Sequence, residues 1–187
     1  MAKETNNRDV LSYGLAAVAV GIAWSTHGNI SSTLHGLPRN EEAKPFTELG
    51  SFYGFYLQEH RDPTCRILHF IGTSLASIQI LRTGFLPHLL CGLSLGLILC
   101  EFLSPLSNGA IEFVSVAAVS FFSSFLLSNR PFPWQIFLLG YLPAWVAHFF
   151  FEHNRPATFI YPSYSLLCDY RMLWQMANGE LSWSERL

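Results

Sequence analysis

The chain has 187 residues, of which half are apolar and only 13% are charged, with a formal net charge of −2. Ordinary soluble domains carry about 25% charged residues, so the composition favours a single membrane domain. Sixteen Phe, seven Tyr and five Trp suit a protein with aromatic residues at the membrane interfaces. The sequence contains no basic tract, which argues against nucleic acid as a partner.

The cysteines form no C-x-x-C pair, and two of them lie inside apolar runs. We therefore interpret all four as buried, reduced thiols rather than as a disulfide framework. This interpretation favours a cytosol-facing or intramembrane location. The four are Cys65, Cys91, Cys100 and Cys168.

The N-terminal segment contains an apolar stretch at residues 10–25, close to the short limit for a membrane span. Lys3 and Arg8 precede it and small residues end it, so a cleaved signal peptide is an alternative to a loosely packed helix. Residues 26–45 are rich in Ser, Asn, Gly and Pro and predict a linker. We therefore predict that residues 1–45 form a variable extension before the main domain.

An aromatic helix is predicted next, over residues 46–60. One side of it carries Phe and Tyr at roughly helical intervals, which is typical of a helix lying at the membrane interface. Asp62 and Pro63 then form a helix-start signal, because Asp caps free backbone N–H groups and Pro at the first position loses no bond. The next helix should therefore begin at Pro63 and contain His69 two turns inside.

Four apolar runs of about span length follow. They predict an all-α fold, an integral membrane helical bundle with about four core transmembrane helices and additional interfacial helices. Pro162 can start a last, amphipathic helix, on which Asp169 and Arg171 would face water or the site. The membrane-embedded domain is thus predicted over residues 46–178, with a tail at 179–187. The four runs cover residues 67–80, 85–103, 110–127 and 132–151.

An even number of spans brings two polar segments to one membrane face. His60 and His69 lie at the entrance of the first run, and His148 and Glu152 lie at the exit of the fourth. After four crossings the chain returns to the side from which it started, so these four side chains should meet at one depth.

The distribution of basic residues indicates which face this is. Seven Lys or Arg flank the face with the histidines and two occupy the opposite loops, which points the site toward the cytosol. The seven are Arg39, Lys44, Arg61, Arg66, Arg155, Arg171 and Arg186, and the two are Arg82 and Arg130.

The four side chains offer three imidazoles and one carboxylate, a set that suits a first-row transition metal such as iron. His148 and Glu152 are spaced i, i+4, which puts both on one face of a helix. The simpler alternative is that each histidine bonds a backbone carbonyl at the headgroup level. His88 lies at the opposite end of the spans and His153 is rotated by about 100° from Glu152 on a helix, so neither is a favoured ligand.

Two motifs resemble those of a family of small membrane proteins that includes a yeast 2-hydroxy fatty acid dioxygenase of phytosphingosine breakdown. The resemblance covers residues 46–178, although the middle of this range matches only as apolar spans. The chain is more similar to the bacterial, plant and algal members than to the yeast enzyme. The chain departs from the family pattern at Ala147, His153 and Cys168. The motifs are Ser51-Phe-Tyr-Gly-Phe-Tyr-Leu-Gln-Glu-His60 with Pro63, Arg66 and Leu68-His69-Phe-Ile-Gly72-Thr73, and Ala147-His148-Phe-Phe-Phe-Glu152 with Asn154-Arg155-Pro156-Ala157-Thr158-Phe159 and Tyr161-Pro162-x-Tyr164-Ser165-Leu166.

The resemblance implies an Fe(II)-dependent dioxygenase of the endoplasmic reticulum membrane. Such an enzyme would use O2 to shorten a 2-hydroxy fatty acid by one carbon, in fatty acid α-oxidation. The iron would be held by His60, His69 and His148. Glu152 would be either a fourth ligand or a group that orients one.

The resemblance also gives roles to residues around the metal. Arg66 or Arg155 would pair with the substrate carboxylate. Asn154 and Tyr56 would orient the metal ligands without binding the metal themselves. Two rival interpretations stay open. One is a non-enzymatic lipid-binding or scaffold protein with structural histidines, and the other is a haem or zinc membrane protein.

Overall fold

Helices make up the regular structure of the computed structural model, which describes residues 2–33 and 40–187 and the side chains of residues 7–26 and 40–187. Over these residues there is no strand, so the predicted all-α fold class is confirmed. Short π-helical turns at Ser124–Ser128 and Ala147–Glu152 continue α5 and α6, and a 3₁₀ turn covers Ala157–Phe159. The α-helices are α1 (Ala2–Thr33), α2 (Leu49–Gln58), α3 (Pro63–Thr83), α4 (Leu86–Phe102), α5 (Ala110–Ser123), α6 (Gln135–Val146) and α7 (Pro162–Ala177).

Three helical stretches are long and apolar enough to cross a membrane: Asn7–Thr26, Pro63–Thr83 and Ala110–Ser128. The predicted run at 85–103 forms the shorter apolar helix α4, whose 17 residues fall below the roughly 20 needed for a typical span. The run at 132–151 is divided between α6 and a π-helical turn. The described residues thus offer three candidate spans, one of them in α1, rather than the four core spans predicted.

The chain divides into two compact units, each built from two separate stretches of sequence. The first unit comprises Met1–Pro45 and Thr83–Pro133, and the second comprises Phe46–Arg82 and Trp134–Leu187. Residues 83–133 therefore fold with the N-terminal segment, whereas the sequence predicted them as part of the membrane domain at 46–178.

In the first unit α1 packs on α4, and α4 packs on α5. The α4–α5 approach depends on Gly92, because a Cβ there would lie 2.5 Å from the Val116 carbonyl oxygen. The start of α1 is held by polar contacts as well. The Asp9 carboxylate accepts two hydrogen bonds of 3.0 Å from Arg130, and the Ser12 and Ser128 hydroxyl oxygens lie 3.2 Å apart.

The first helix continues to Thr33, so the linker predicted from residue 26 onward is wrong over its first residues. The hydroxyls of Ser25 and Thr26 donate to the carbonyl of Ile22, at 3.0 and 2.7 Å. These polar side chains are therefore accommodated on the helix by bonding back to the preceding turn rather than ending it. Residues 34–39 of the predicted linker lie outside the described residues.

In the second unit the aromatic side of α2 packs against α7. Phe52 is fully buried, and its ring centroid lies 5.0 Å from that of Tyr161 and 5.5 Å from that of Tyr164. This aromatic side is therefore covered by the start of α7, and the position of the helix at the membrane interface stays a prediction. Apolar spacing alone does not distinguish a lipid-facing side from a protein-facing one.

The third helix begins at Pro63, as predicted, and the Asp62 carboxylate accepts a 2.7 Å hydrogen bond from the Thr64 N–H. Three residues after His69, Gly72 lies against α6, where a Cβ would come within 3.1 Å of the Leu139 and Gly140 carbonyl oxygens. A glycine at this position therefore allows the two backbones to approach closely. This contact holds the helix that carries His69 against the helix that leads to the second ligand segment.

The C-terminal end of α6 widens into the π-helical turn Ala147–Glu152. His153 ends the turn in the left-handed region, with φ 55°, and the Asn154 N–H then donates to the His148 carbonyl at 3.2 Å. This bond runs from residue i+6 to residue i, one residue wider than the 6→1 bond of a Schellman motif, because it closes a π-helical turn. Single π-helical turns occur frequently at functional sites, and this one contains His148.

Candidate metal centre

Three imidazoles lie together in the second unit. His60 follows α2, His69 lies on α3 and His148 lies in the π-helical turn after α6. The ring centroids are 4.5 Å apart for His60 and His69, 4.7 Å for His60 and His148, and 5.1 Å for His69 and His148. All three residues are buried: His60 is 0% exposed, His69 is 5% exposed and His148 is 2% exposed.

The Nδ1 atoms of His60 and His69 each face an oxygen acceptor. His60 Nδ1 lies 2.6 Å from the Tyr56 carbonyl oxygen, one turn earlier in the chain. His69 Nδ1 lies 2.7 Å from Asp169 Oδ1, which α7 supplies from 100 residues away. Asp169 Oδ1 also accepts a hydrogen bond of 2.5 Å from the Tyr56 hydroxyl.

The third imidazole is held in the same way by an amide. His148 Nδ1 lies 2.7 Å from Asn154 Oδ1. The Asn154 amide nitrogen donates to the backbone carbonyl and to a carboxylate oxygen of Glu59, at 3.0 and 2.8 Å. Because both Glu59 atoms are acceptors, the amide nitrogen of Asn154 must face Glu59 and its oxygen must face the imidazole.

These partners set the tautomer of each ring. Carbonyl, carboxylate and amide oxygens only accept, so each Nδ1 carries the proton and each Nε2 keeps its lone pair. Within the described part of the chain, the Nε2 atoms of His60 and His69 are buried and have no hydrogen-bond partner. Burying a nitrogen with a free lone pair is energetically costly unless another group or ion binds it. Histidines that bind metals in proteins typically donate their other ring N–H to an oxygen acceptor, as these imidazoles do.

The electrostatics of the site favour a neutral His60 ring. Burial, followed by the neighbouring His69 and His148, holds the pKa of His60 well below its usual range. Burial and the Asp169 carboxylate raise the pKa of Tyr56 well above its usual range. His60 is therefore unprotonated at Nε2, as a metal ligand must be, and the Tyr56 hydroxyl keeps the proton that it donates to Asp169.

Cys65 is a further candidate metal ligand at this site, whereas its sequence context predicted only a buried thiol. It is fully buried, and the ligand atoms of His60, Cys65 and His148 all lie within 4.8 Å of one another. These three could therefore hold a metal ion. The available sequence signal was the i, i+4 spacing of Cys65 and His69, which puts both on one face of α3.

Glu152 makes a different contact from the one predicted by its spacing. Its Oε1 accepts a hydrogen bond of 2.5 Å from the backbone N–H of Asp62, just before α3. The carboxylate thus ties the end of the π-helical turn to the start of α3. Its role as a metal ligand stays a prediction.

Arg66 is fully buried and its guanidinium donates to backbone carbonyls. Nη1 donates to His60 and Arg61 at 3.0 and 2.7 Å. Nη2 donates to Ser182 at 3.1 Å and to Glu185. Arg66 therefore joins the peptide of a candidate ligand to the C-terminal segment, and its pairing with a substrate carboxylate stays a prediction.

The other histidines and arginines singled out in the sequence are not members of the imidazole cluster. Arg155 is exposed, with its guanidinium carbon 5.3 Å from the centroid of the Phe159 ring. His153 is exposed beside the site. His88 belongs to the first unit, where its Nε2 lies 2.9 Å from the Ser128 hydroxyl oxygen.

Comparison with protein families gives a match over residues 46–181 to the model described as 2-hydroxy-palmitic acid dioxygenase Mpo1-like. The chain belongs to this family. The Mpo1-like match begins at the predicted start of the membrane domain and contains every residue of the imidazole cluster. It confirms the resemblance drawn from the two motifs. Neither the curated proteins nor the solved structures give a match.

Proposed function

We propose that this protein is an Fe(II)-dependent dioxygenase that shortens a 2-hydroxy fatty acid by one carbon with O2. The observation that carries the proposal is the cluster of three buried imidazoles, each with Nδ1 bonded to an acceptor. The family description supplies the substrate class. The reaction balances without another reductant, since a 2-hydroxy acid and one O2 give the shorter carboxylic acid, CO2 and water.

The residues present fit a single iron ion. Neutral imidazoles suit iron among the first-row metals, and three of them leave coordination positions open for substrate and O2. His60, His69 and His148 would hold the ion, with Cys65 and Glu152 as further candidates. When bound, the iron would supply the one-electron and O2 chemistry that side chains lack.

The protein's own groups would orient the ligands and bind the acid. The acceptors on Nδ1 hold the rings in one orientation, and the burial of the rings keeps bulk water from the site. We propose that Arg155, which is exposed, pairs with the substrate carboxylate. The nitrogens of Arg66 already donate to four backbone carbonyls.

The acyl chain would come from the lipid phase. Phe149, Phe150 and Phe151 directly follow the buried His148 and are 50%, 69% and 41% exposed. Exposed aromatic side chains of this kind suit contact with lipid. We propose a location in the endoplasmic reticulum membrane with the site on the cytosolic side, in keeping with the seven basic residues that flank the histidines against two in the opposite loops.

The test is turnover by the purified full chain in detergent micelles or nanodiscs, loaded with Fe(II) without oxygen. After addition of 2-hydroxyhexadecanoic acid and O2, mass spectrometry should detect the 15-carbon acid, with label incorporated from ¹⁸O2. Matched samples without iron or without O2 should give none. A protein that binds Fe(II) but forms no shortened product from any chain length would overturn the proposed reaction.

A further inference from the structure

We propose that Asp169 and Tyr56 are positioning residues that make His69 the most strongly donating imidazole of the cluster. The inference rests on the proposed metal centre. It goes further by assigning unequal roles to the three rings and by naming two residues that act through one of them.

The three Nδ1 acceptors differ in charge. His60 faces a neutral backbone carbonyl and His148 faces a neutral amide. His69 faces the carboxylate of Asp169 at 2.7 Å. A carboxylate acceptor raises the basicity of the imidazole that donates to it, and therefore the strength of the bond that Nε2 can make to a metal.

Tyr56 connects two of the rings through different atoms. Its carbonyl oxygen receives the His60 Nδ1 hydrogen at 2.6 Å, and its ring stacks on the His60 ring with a centroid distance of 4.0 Å. Its hydroxyl donates to Asp169 Oδ1, the same oxygen that faces His69. The hydroxyl thus orients the Asp169 carboxylate, so it acts on His69 only through Asp169.

The helix α2 also supplies a matched control. Tyr53 is 5% exposed and Tyr56 is 2% exposed, and their rings stack with centroids 6.2 Å apart. The Tyr53 hydroxyl donates to the Gln175 side chain. Tyr53→Phe therefore removes a comparable buried hydroxyl from the same helix without touching an imidazole.

The experiment measures, under anaerobic conditions, the dissociation constant for Fe(II) binding to each purified variant. The visible spectrum of the Co(II)-loaded protein is a second readout. We expect Asp169→Asn to weaken Fe(II) binding by about 10- to 100-fold and to shift the Co(II) bands. Tyr56→Phe should weaken binding less than Asp169→Asn. The double variant should bind no more weakly than Asp169→Asn alone, because the hydroxyl acts through the carboxylate. Tyr53→Phe should stay within about twofold of the unmodified protein, with an unchanged Co(II) spectrum.

Three results would overturn the inference: an Asp169→Asn protein with unmodified Fe(II) affinity, additive effects in the double variant, or an equal loss in Tyr53→Phe. The affinities are measured without substrate, so they separate this inference from the proposed reaction. If Asp169→Asn binds Fe(II) more weakly than the unmodified protein but the unmodified protein shows no turnover, the proposed reaction alone is rejected. If the unmodified protein turns over substrate but Asp169→Asn binds Fe(II) equally well, this inference alone is rejected.

Discussion

Single histidines in a protein interior usually satisfy both ring nitrogens, whereas His60 and His69 each satisfy only Nδ1. The cost of burying two lone pairs without a hydrogen-bond partner is offset if a metal ion binds them. The same reasoning applies to the charge of the rings. Burial and the adjacent imidazoles keep the pKa of His60 low, so this ring is neutral and does not repel a cation.

The first prediction concerns these ligands. His60→Ala, His69→Ala and His148→Ala should each abolish conversion of a 2-hydroxy fatty acid, because each removes one of three ligands. His88→Ala is the control, since His88 lies in the first unit and should leave turnover largely intact. Product formation is measured by mass spectrometry after Fe(II) loading. Wild-type turnover in all three variants would show that the imidazole cluster does not form the active site.

The second prediction concerns Arg66. Arg66→Met should lower the free energy of unfolding by about 3 kcal/mol, because it leaves buried carbonyl groups without the charged donor that satisfies them. Thermal unfolding in detergent measures this loss. Arg155→Met is the matched control, since Arg155 is exposed, and it should change stability by less than about 0.5 kcal/mol. Equal effects of the two substitutions would contradict the structural role of Arg66.

At the scale of helices, the site depends on how closely α3 approaches α6. Gly72 permits this approach, since a Cβ there would lie 3.1 Å from two carbonyl oxygens of α6. Pro143 lies inside α6 and is followed by the π-helical turn that contains His148. The predicted run at 132–151 thus ends in a widened turn, which apolar spacing does not distinguish from an ordinary helix.

The third prediction follows from this contact. Gly72→Ala should destabilise the protein by about 1–3 kcal/mol, because the added methyl group forces the two backbones apart. Gly54 on α2 offers the control, since a Cβ there would meet nothing within 4 Å. Gly54→Ala should stabilise the protein by about 0.5–1 kcal/mol through its higher helix propensity. Chemical or thermal unfolding of both variants gives the comparison, and a stabilised Gly72→Ala protein would contradict the close α3–α6 packing.

At the scale of the whole molecule, metal binding and folding should be linked, because His60, His69 and His148 come from three separate parts of the second unit. A metal that binds only the folded chain stabilises it by about 2.7 kcal/mol at a free concentration of 100 times the dissociation constant. The same linkage separates an iron enzyme from a scaffold whose histidines are structural.

The fourth prediction uses this linkage. Addition of Fe(II) or Co(II) without oxygen should raise the melting temperature of the metal-free protein, and a chelator should reverse the change. A His60→Ala/His69→Ala double variant should show no such response. An unmodified protein that is purified free of iron, and whose stability does not change when iron is added, would support the scaffold interpretation.

The starts of α3 and α7 were predictable because Asp62-Pro63 and Pro162 act locally on the backbone. The end of α1 was not, since Ser25 and Thr26 stay helical by donating to the carbonyl of Ile22 in the preceding turn. The buried side of α2 was not predictable either. Its apolar spacing is the same whether lipid or α7 covers it.

The helical class and the three histidines as candidate ligands could be predicted from the sequence, because they follow from local composition and spacing, and the two motifs carried the resemblance to the family. The hydrogen-bond acceptor of each ring could be found only in the folded chain. The His69–Asp169 contact joins residues 100 positions apart, and Cys65 joins the group only through the packing around His60 and His148. The physical reason is that a ring's tautomer depends on the acceptor beside it, and long-range packing of α2, α3, α6 and α7 brings those acceptors into place.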